Sequence, residues 1–294
     1  MTILVVGDVV DDISVLPLEP VTPRTDTRAQ IRMTPGGSAA NTAAWLGFLG
    51  ADVRFVGKVG ADGAARHSMA LADFGVDARI AADPVAPTAT IVLTLDDDAD
   101  RTMYVDRAAN GTLTTDDVPE SVWEGVTWLH VSGYTFFDPA TLGVARNLLA
   151  EARHRNVPVS VDPGSVAFLR EVGPEEFLRW TEGVDLVLPN AEEARLLASS
   201  TGPFIDHDVL AEAYRHAVVT MGATGATYVA DAAGGGRREQ VVAPRVSVLD
   251  TTGAGDAFTA GFLAAWIGDR DPKTALAGGV GAASRCVEVR GARP

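Results

Sequence analysis

The segment Asp250-Thr251-Thr252-Gly253-Ala254-Gly255-Asp256 says more about the fold than any other stretch of the chain. It follows the β-branched run 246–249 and precedes apolar residues at helical spacing. Those residues are Ala257, Phe258, Phe262, Leu263 and Trp266. We therefore predict a strand that ends, a glycine turn, and a helix that begins within this segment. This succession is typical of the βα units of a mostly parallel α/β sheet.

The glycine turn also predicts an anion site. Gly253, Ala254 and Gly255 would present backbone N–H groups at the positive end of the helix, where small side chains let a phosphate approach. Asp256 would then lie in the first helical turn and could accept a proton from a hydroxyl that attacks the phosphate. The alternative is that the glycines only turn the chain and that Asp256 caps the helix, a position that Asp favours.

Further βα units are predicted along the second half of the chain. Short apolar runs at 157–161, 184–188 and 217–220 read as strands, in addition to 246–249. The segments 142–155, 175–182 and 192–198 read as helices. Ligands of open parallel sheets lie beyond the carboxyl ends of the strands, and Asn190, Gly222 and Asp250 each follow a predicted strand.

Two segments of the first half do not fit this alternation. Residues 16–34 are rich in proline and threonine, and residues 90–95 and 102–105 flank the acidic run 96–100 in a hairpin pattern. Two such excursions can pair into a small sheet over a cleft. We therefore expect a single domain over residues 1–294, with a lid formed by about 12–34 and 88–110.

Composition excludes several classes of function. The 294 residues carry 24 Lys and Arg against 39 Asp and Glu, a net charge of −15 that would repel nucleic acid. The single cysteine, Cys286, and five histidines show no zinc-ligand spacing. The apolar run 3–6 is too short for a signal peptide or membrane anchor, so we expect a cytoplasmic protein with no membrane partner. Neither a Walker loop nor a true Gly-x-Gly-x-x-Gly is present, which argues against a Rossmann dehydrogenase.

Two separated segments carry a resemblance to a known family. The first is Gly36-Gly-Ser-Ala-Ala-Asn41, followed by Leu49-Gly50 and by Val-Gly-Lys-Val-Gly-Ala-Asp at 56–62; the second is 250–256. Together they resemble the ribokinase, or PfkB, family of carbohydrate kinases. The resemblance implies a ribokinase-like, Rossmann-type sheet sandwiched by helices, with a small β-sheet lid. It also implies transfer of the γ-phosphoryl group of ATP, with Mg²⁺, to a hydroxyl of a sugar or sugar-like substrate.

The resemblance also assigns candidate substrate ligands. Those implied are Asp12, Gly36, Gly37, Asn41, Arg107 and Asn110, with Lys58 and Asp162 at the pocket edge and Asp11 as a weaker candidate. Carboxylates and amides suit polyol hydroxyls, and paired glycines let a sugar ring approach the backbone. Asn41 could instead cap a helix, and Arg107 could bind either a substrate anion or one of the many acidic residues.

The nucleotide side is implied in the same way. Asn190 and Glu193 match an Asn-x-x-Glu motif associated with Mg²⁺, which Glu193 would bind through water, and Thr220, Gly222 and Gly225 resemble a nucleotide-binding turn. Asp250 and Thr252 match positions that hold K⁺ in some relatives, with 290–294 as the end of that loop. Alternatively, Glu193 is a solvated surface residue, and residues 220–225 form a plain turn between strands.

Departures from the family pattern leave the substrate open. Ser38 and Ala39 replace a Lys-Gly pair common in ribokinases, which weakens an assignment to ribose. A nucleoside kinase of the same family is the nearer alternative, with Phe136 or Phe137 stacking on a base. A sugar- or nucleotide-binding relative without catalysis is the remote one. Lid sheets of this family often dimerise, so a homodimer through the lid is expected.

Overall fold

The computed structural model describes residues 1–95, 101–199, 204–231 and 235–294. The strands are β1 (Thr2–Val6), β2 (Val10–Pro17), β3 (Ala29–Gly36), β4 (Asp52–Gly60), β5 (Asp77–Asp83), β6 (Thr90–Leu95), β7 (Arg101–Asp106), β8 (Val126–Ser132), β9 (Val159–Asp162), β10 (Leu186–Val187), β11 (His216–Thr220), β12 (Ala226–Ala230) and β13 (Arg238–Val241). The α-helices are α1 (Ser38–Phe48), α2 (Ala64–Ala72), α3 (Pro139–Arg155), α4 (Val166–Val172), α5 (Pro174–Trp180), α6 (Ala191–Leu197), α7 (His207–Ala213), α8 (Ala254–Asp269) and α9 (Pro272–Val287).

The larger sheet has the order β13-β12-β11-β10-β9-β8-β1-β4-β5. Neighbours from β5 to β11 pair in parallel, whereas β12 and β13 are antiparallel. Strand β1 is buried along its whole length because helices cover both faces of the sheet. Ile3 and Val5 contribute to one hydrophobic core and Leu4 and Val6 to the other. The predicted mostly parallel sheet between helices is confirmed.

The smaller sheet has the order β3-β2-β6-β7. Strand β2 pairs with β3 antiparallel and with β6 in parallel, so that Asp12 lies between Thr34 and Ile91. Strands β6 and β7 form the predicted hairpin, although the acidic run between them falls outside the described residues. The two excursions seen in the sequence therefore meet in one sheet.

One predicted strand is wrong. Residues 242–248 form neither helix nor strand, and Val248 and Leu249 are 59% and 63% exposed. The end of this segment contacts helix α9 instead of a neighbouring strand, because the N–H of Leu249 donates to the carbonyl of Val287. Strand propensity reflects fit to a half-buried pleated surface, which this run does not find beyond β13. Asp250 therefore follows an extended connection, while α8 begins at Ala254 as predicted.

In the described part of the chain, every helix is too short or too polar to cross a membrane.

Candidate active site

A cavity of about 870 Å³ lies between the carboxyl ends of the larger sheet and the smaller sheet. The predicted site residues that line it are Asp12, Gly37, Asn41, Arg107, Asn110, Asp162, Asn190, Glu193, Thr220, Asp250, Thr252, Gly253, Gly255 and Asp256. The other predicted residues, Gly36, Ala254, Gly222 and Gly225, are not among its described lining residues. The smaller sheet contributes one face of β2, β3, β6 and β7 to the cavity wall.

Asp256 lies in the first turn of α8 and contacts the start of α1. Its Oδ1 accepts a 2.8 Å hydrogen bond from the hydroxyl of Ser38, and its Oδ2 accepts a 2.9 Å bond from Nδ2 of Asn41. Burial raises the pKa of Asp256 well above its usual range, and the two hydrogen bonds oppose that rise. The helix is capped by Gly253 at φ 76°, so the alternative role of Asp256 as N-cap is wrong.

Helix α1 also begins at a glycine, which is Gly37 at φ 98°. Asn41 lies in its first turn, so the alternative role of Asn41 as N-cap is also wrong. A Cβ at Gly37 would lie 2.6 Å from the carbonyl oxygen of Asp8, so only glycine fits. This close approach brings Ser38 and Asn41 to Asp256.

Asp8, to which the sequence patterns assigned no role, holds the start of α1. Its Oδ2 accepts from the N–H of Ser38 at 2.6 Å, and its Oδ1 accepts from the N–H of Ala39 at 3.2 Å and the hydroxyl of Ser132 at 2.9 Å. A carboxylate at a helix N-terminus is favourable. The signal was present, since an Asp directly after a buried first strand must lie at the carboxyl edge of the sheet.

Asp11 and Asp12 are neighbours on β2 and point to opposite faces. Asp11, which is buried, forms a bidentate ion pair with the exposed Arg66 and contacts Nε2 of the buried His67 at 3.0 Å. Asp12 lines the cavity, and a Cβ on Gly36 would overlap its carboxylate. Burial, and next the charge of Asp8, raise the pKa of Asp12 to about 6.

Arg107 and Asn110 lie where the smaller sheet returns to the larger one. Arg107 donates through Nη2 to the carbonyl of Tyr134 at 2.8 Å, and Oδ1 of Asn110 accepts from the N–H of Val9 at 3.2 Å. Lys58 instead pairs with Asp117 at 2.9 Å and is not among the described residues of the large cavity. Its charge is therefore already compensated.

Asn190 and Glu193 form a capping box at the start of α6. Oδ1 of Asn190 accepts from the N–H groups of Glu192 and Glu193, and Oε2 of Glu193 accepts from the N–H of Asn190 at 2.9 Å. Glu193 is 2% exposed yet lines the cavity, so the predicted alternative of a solvated glutamate is wrong. Glu193 also lies close enough to Asp162 for the charge of Asp162 to act on its carboxylate.

The carboxylates of Asp162 and Glu193 fit a divalent cation. Burial raises the pKa of both, to about 6 for Asp162 and to about 8 for Glu193, and for Glu193 the charge of Asp162 adds to the rise. Asp162 accepts from the hydroxyl of Thr259 and the N–H of Gly164. Within the described ranges, neither carboxylate hydrogen-bonds to a Lys or Arg. Two acidic oxygen donors without a basic partner suit Mg²⁺.

Thr220 lies beside Asn190, because the two residues form a parallel bridge at the ends of neighbouring strands. Gly222 and Gly225 shape the turn that follows, with φ angles of 54° and 101°. A Cβ on Gly225 would overlap the carbonyl oxygen of Val241. Gly225 therefore packs against the end of β13, and neither glycine is among the described residues that line the cavity.

The loop before α8 closes onto the end of the chain. Oδ1 of Asp250 accepts from the N–H and the hydroxyl of Thr252, and Oδ2 accepts from the N–H of Gly291 at 3.2 Å. The two predicted K⁺ positions and the segment 290–294 are thus in contact.

The predicted aromatic stacking residues are wrong. Phe136 is fully buried against Phe177, and Phe137 stacks on Phe168 and Phe177 at centroid distances of 5.4 and 5.7 Å. Neither is among the described cavity residues, whereas Tyr134 and Phe168 are. The sequence does not reveal the short 3₁₀ turn at this point of the chain. With this turn, Tyr134 lines the cavity and Phe136 lies in the hydrophobic core.

Comparison with known proteins shows the family of this chain. Residues 2–294 match the model of the pfkB family carbohydrate kinases. The chain belongs to this family. As a pfkB carbohydrate kinase, it is a phosphotransferase with an alcohol group as acceptor.

Relatives within the pfkB family differ in their substrates. A fructokinase of Escherichia coli is 31% identical over 88% of this chain and 82% of its own length. An ATP-dependent ribose-1-phosphate kinase of Halopiger xanaduensis is 29% identical over 86% of this chain and 81% of its own.

Solved structures share the ribokinase-like fold. An adenosine kinase of Sinorhizobium meliloti superposes with a TM-score of 0.86 at 24% identity, over 100% of this chain and 95% of that one. A putative ribokinase II of E. coli, solved with ATP and Mg²⁺, superposes with a TM-score of 0.85 at 22% identity, over 99% and 94%.

Proposed function

We propose that this pfkB kinase transfers the γ-phosphoryl group of ATP, with Mg²⁺, to a hydroxyl of a sugar or sugar-like substrate, and that Asp256 is the base. One observation carries the proposal. The carboxylate of Asp256 lines the same cavity as Asp12, Asn190 and Glu193, and it lies at the N-terminus of α8. The cavity therefore combines a proton acceptor, Asp256, with a ligand for substrate hydroxyls, Asp12, and an anion site at the start of α8.

Asp12 is the sugar ligand that the geometry supports best. Its carboxylate faces the cavity from the smaller sheet, and a pKa of about 6 leaves it ionised at neutral pH, when it can accept from substrate hydroxyls. Asn41 has both amide atoms bonded to protein groups, with Nδ2 donating to Asp256 and Oδ1 accepting from Arg293. Asn41 therefore orients Asp256, while the second N–H of its amide can donate to a substrate hydroxyl in the cavity, as the sequence suggested.

The amides at the start of α8 would stabilise charge on the transferred group. The N–H of Ala254 donates to the carbonyl of Thr251, and the N–H groups of Gly255 and Asp256 have no partner within the helix because they belong to its first turn. Asp256 accepts the hydroxyl proton as attack proceeds. Backbone N–H donors that stabilise the charge on a transferred group typically raise the rate by about 10²-fold. A magnesium ion held through Glu193, with Asp162 beside it, would neutralise phosphate charge.

Asp256→Asn tests this assignment. We expect kcat to fall by about 10²-fold or more, because the amide cannot take the proton, while circular dichroism stays unchanged. Asp73→Asn, at an exposed position after α2, is the matched control and should leave kcat unchanged. Turnover of Asp256→Asn within about tenfold of the wild type would exclude this base.

The acceptor can be identified by coupled ADP release. The screen should cover pentoses, hexoses, sugar acids, sugar phosphates and nucleosides. One observation favours nucleosides as a second candidate class, because the rings of Tyr134 and Phe168 line the cavity and meet edge to face at 5.9 Å. For a nucleoside, Tyr134→Ala should raise KM about tenfold or more through lost stacking, whereas KM for a simple sugar should change little.

The smaller sheet is proposed to act as a lid and as a dimer interface. Its face toward the cavity includes Asp12, and closure would exclude water that competes for the phosphoryl group.

The opposite face of the smaller sheet exposes Ile31, Met33 and Tyr104 by 60% or more. Exposed apolar patches mark association sites, so we propose that this face pairs with a second copy. Sedimentation should show a dimer that Ile31→Asp with Met33→Asp dissociates; a monomeric wild type would contradict it.

We propose that K⁺ binds near Asp250 and Thr252. The contact between Asp250 and Gly291 joins the loop that precedes α8 to the segment 290–294, so a cation there would stiffen the anion site. Activity should be higher in K⁺ than in Na⁺ or a large organic cation. Equal rates in all three buffers would exclude the cation site.

A further inference from the structure

Arg293 lies behind the wall of the cavity and contacts two parts of it. Its Nε donates to Oδ1 of Asn41 at 3.1 Å, and its Nη2 donates to the carbonyl of Gly36 at 3.1 Å. Arg293 is not among the described residues that line the cavity. Burial lowers its pKa to about 10, while the charges of Asp12 and Asp256 oppose that change, so the guanidinium remains charged at neutral pH.

The segment around Arg293 is fixed to both helices that form the site. Nε1 of Trp45, in α1, donates to the carbonyl of Ala292 at 2.9 Å in the buried interior. A Cβ on Gly253 would lie 2.6 Å from Ala292, so the glycine turn packs directly on this segment. Arg293 therefore cannot shift without moving α1 or the start of α8.

Arg293 also determines which way the Asn41 amide faces. A guanidinium only donates hydrogen bonds, so the amide must turn its oxygen toward Arg293. Its Nδ2 then faces Asp256, to which it donates at 2.9 Å. The reversed amide would place NH₂ against the guanidinium and oxygen against the carboxylate, which are two repulsive contacts.

We propose that Arg293 is a positioning residue for phosphoryl transfer: it locks the Asn41 amide so that Nδ2 holds the Asp256 carboxylate toward the cavity. This rests on the proposed function, in which Asp256 is the base. The family resemblance assigned 290–294 only to the end of a cation loop, and neither composition nor spacing indicates that Arg293 reaches α1.

The test is a double-mutant cycle on the full chain. Arg293→Met keeps the apolar stem and removes the donors, and we expect kcat to fall about tenfold with KM for ATP unchanged. Arg293→Lys should recover part of that loss, because an ammonium can still donate to Oδ1 of Asn41. Arg285→Met removes a charge from the exposed last turn of α9 and should behave as wild type.

The effect of Arg293→Met with and without the Asn41 amide distinguishes a positioning role of Arg293 from a packing role. Without the Asn41 amide there is nothing to orient, so Arg293→Met in an Asn41→Ala background should cost less than about twofold in kcat. An equal loss in both backgrounds, or wild-type kcat for Arg293→Met alone, would overturn the proposal. Should Arg293→Met lose the folded circular dichroism spectrum, Arg293→Lys in both backgrounds gives the same comparison.

Asp256→Asn keeps the two proposals distinct. If that variant remained active, the proposed function would fail irrespective of Arg293. If it were inactive and the cycle were additive, only the positioning role would fail.

Discussion

The hydroxyl of Ser38 donates a 2.8 Å hydrogen bond to Oδ1 of Asp256, although 218 positions separate the two residues in the sequence. Ser38 occupies a position where the sequence departs from ribokinases, and the structure gives that departure a direct contact with the proposed base.

Ser38→Ala should therefore lower kcat by about threefold to tenfold below pH 7. Loss of a hydrogen bond to the ionised form raises the pKa of Asp256 further, so less of the base is ionised at a given pH. The pH profile of kcat tests this, with Ser38→Thr as the control that keeps the hydroxyl. A profile for Ser38→Ala that superposes on the wild type between pH 5.5 and pH 8 would contradict it.

Asp12→Asn should stabilise the fold at pH 8 while weakening substrate binding. Because burial raises the folded-state pKa to about 6, the folded protein binds this proton more tightly than the unfolded chain does. The ionised carboxylate thus destabilises the fold above pH 6, and that penalty is lost as the pH falls toward 4. Its size is roughly 1–3 kcal/mol.

Urea denaturation of wild type and Asp12→Asn at pH 8 and near pH 4 measures this difference. The advantage of Asp12→Asn should shrink at the lower pH. A constant advantage at both values would mean that the raised pKa of Asp12 does not contribute.

Gly36→Ala and Gly37→Ala should have different consequences, though the glycines are adjacent. The three atoms nearest to a Cβ at Gly36 all belong to the Asp12 carboxylate, whereas a Cβ at Gly37, where φ is 98°, meets the backbone of Asp8. We expect Gly36→Ala to raise KM for the acceptor about tenfold with little change in Tm. Gly37→Ala should instead lower Tm, because a strained backbone cannot be relieved by one side chain. Thermal melts and steady-state kinetics distinguish them, and an equal loss of Tm would refute the contrast.

Glu193→Gln separates helix capping from metal binding. A glutamine oxygen can still accept from the N–H of Asn190, so the capping box and Tm should be retained. The lost charge should raise the Mg²⁺ concentration for half-maximal activity about tenfold. A similar change caused by Glu192→Gln, the neighbour without the carboxylate bond to Asn190, would argue against a specific site.

Local patterns in the sequence predicted the parallel sheet, the hairpin of the smaller sheet and the start of α8. The predicted strand at 246–249 was wrong because this segment contacts the end of α9, and strand propensity does not encode that contact. The contact between Asn41 and Arg293 could not be foreseen, because the two residues lie 252 positions apart in the sequence. Asp8 was overlooked because no motif of the sequence assigned it a role, unlike Asp11 and Asp12 in the same segment.

The helices that begin at the cavity differ in what occupies their first turn. Helix α1 is capped by Asp8, α4 by the hydroxyl of Ser165, and α6 by Asn190. The N-cap of helix α8 is Gly253, which offers no side-chain acceptor to the first-turn amides. Among these four helices, α8 is therefore the one whose first-turn amides are left for a ligand. In so acidic a protein, the start of α8 would be the helix end best able to accept a phosphate.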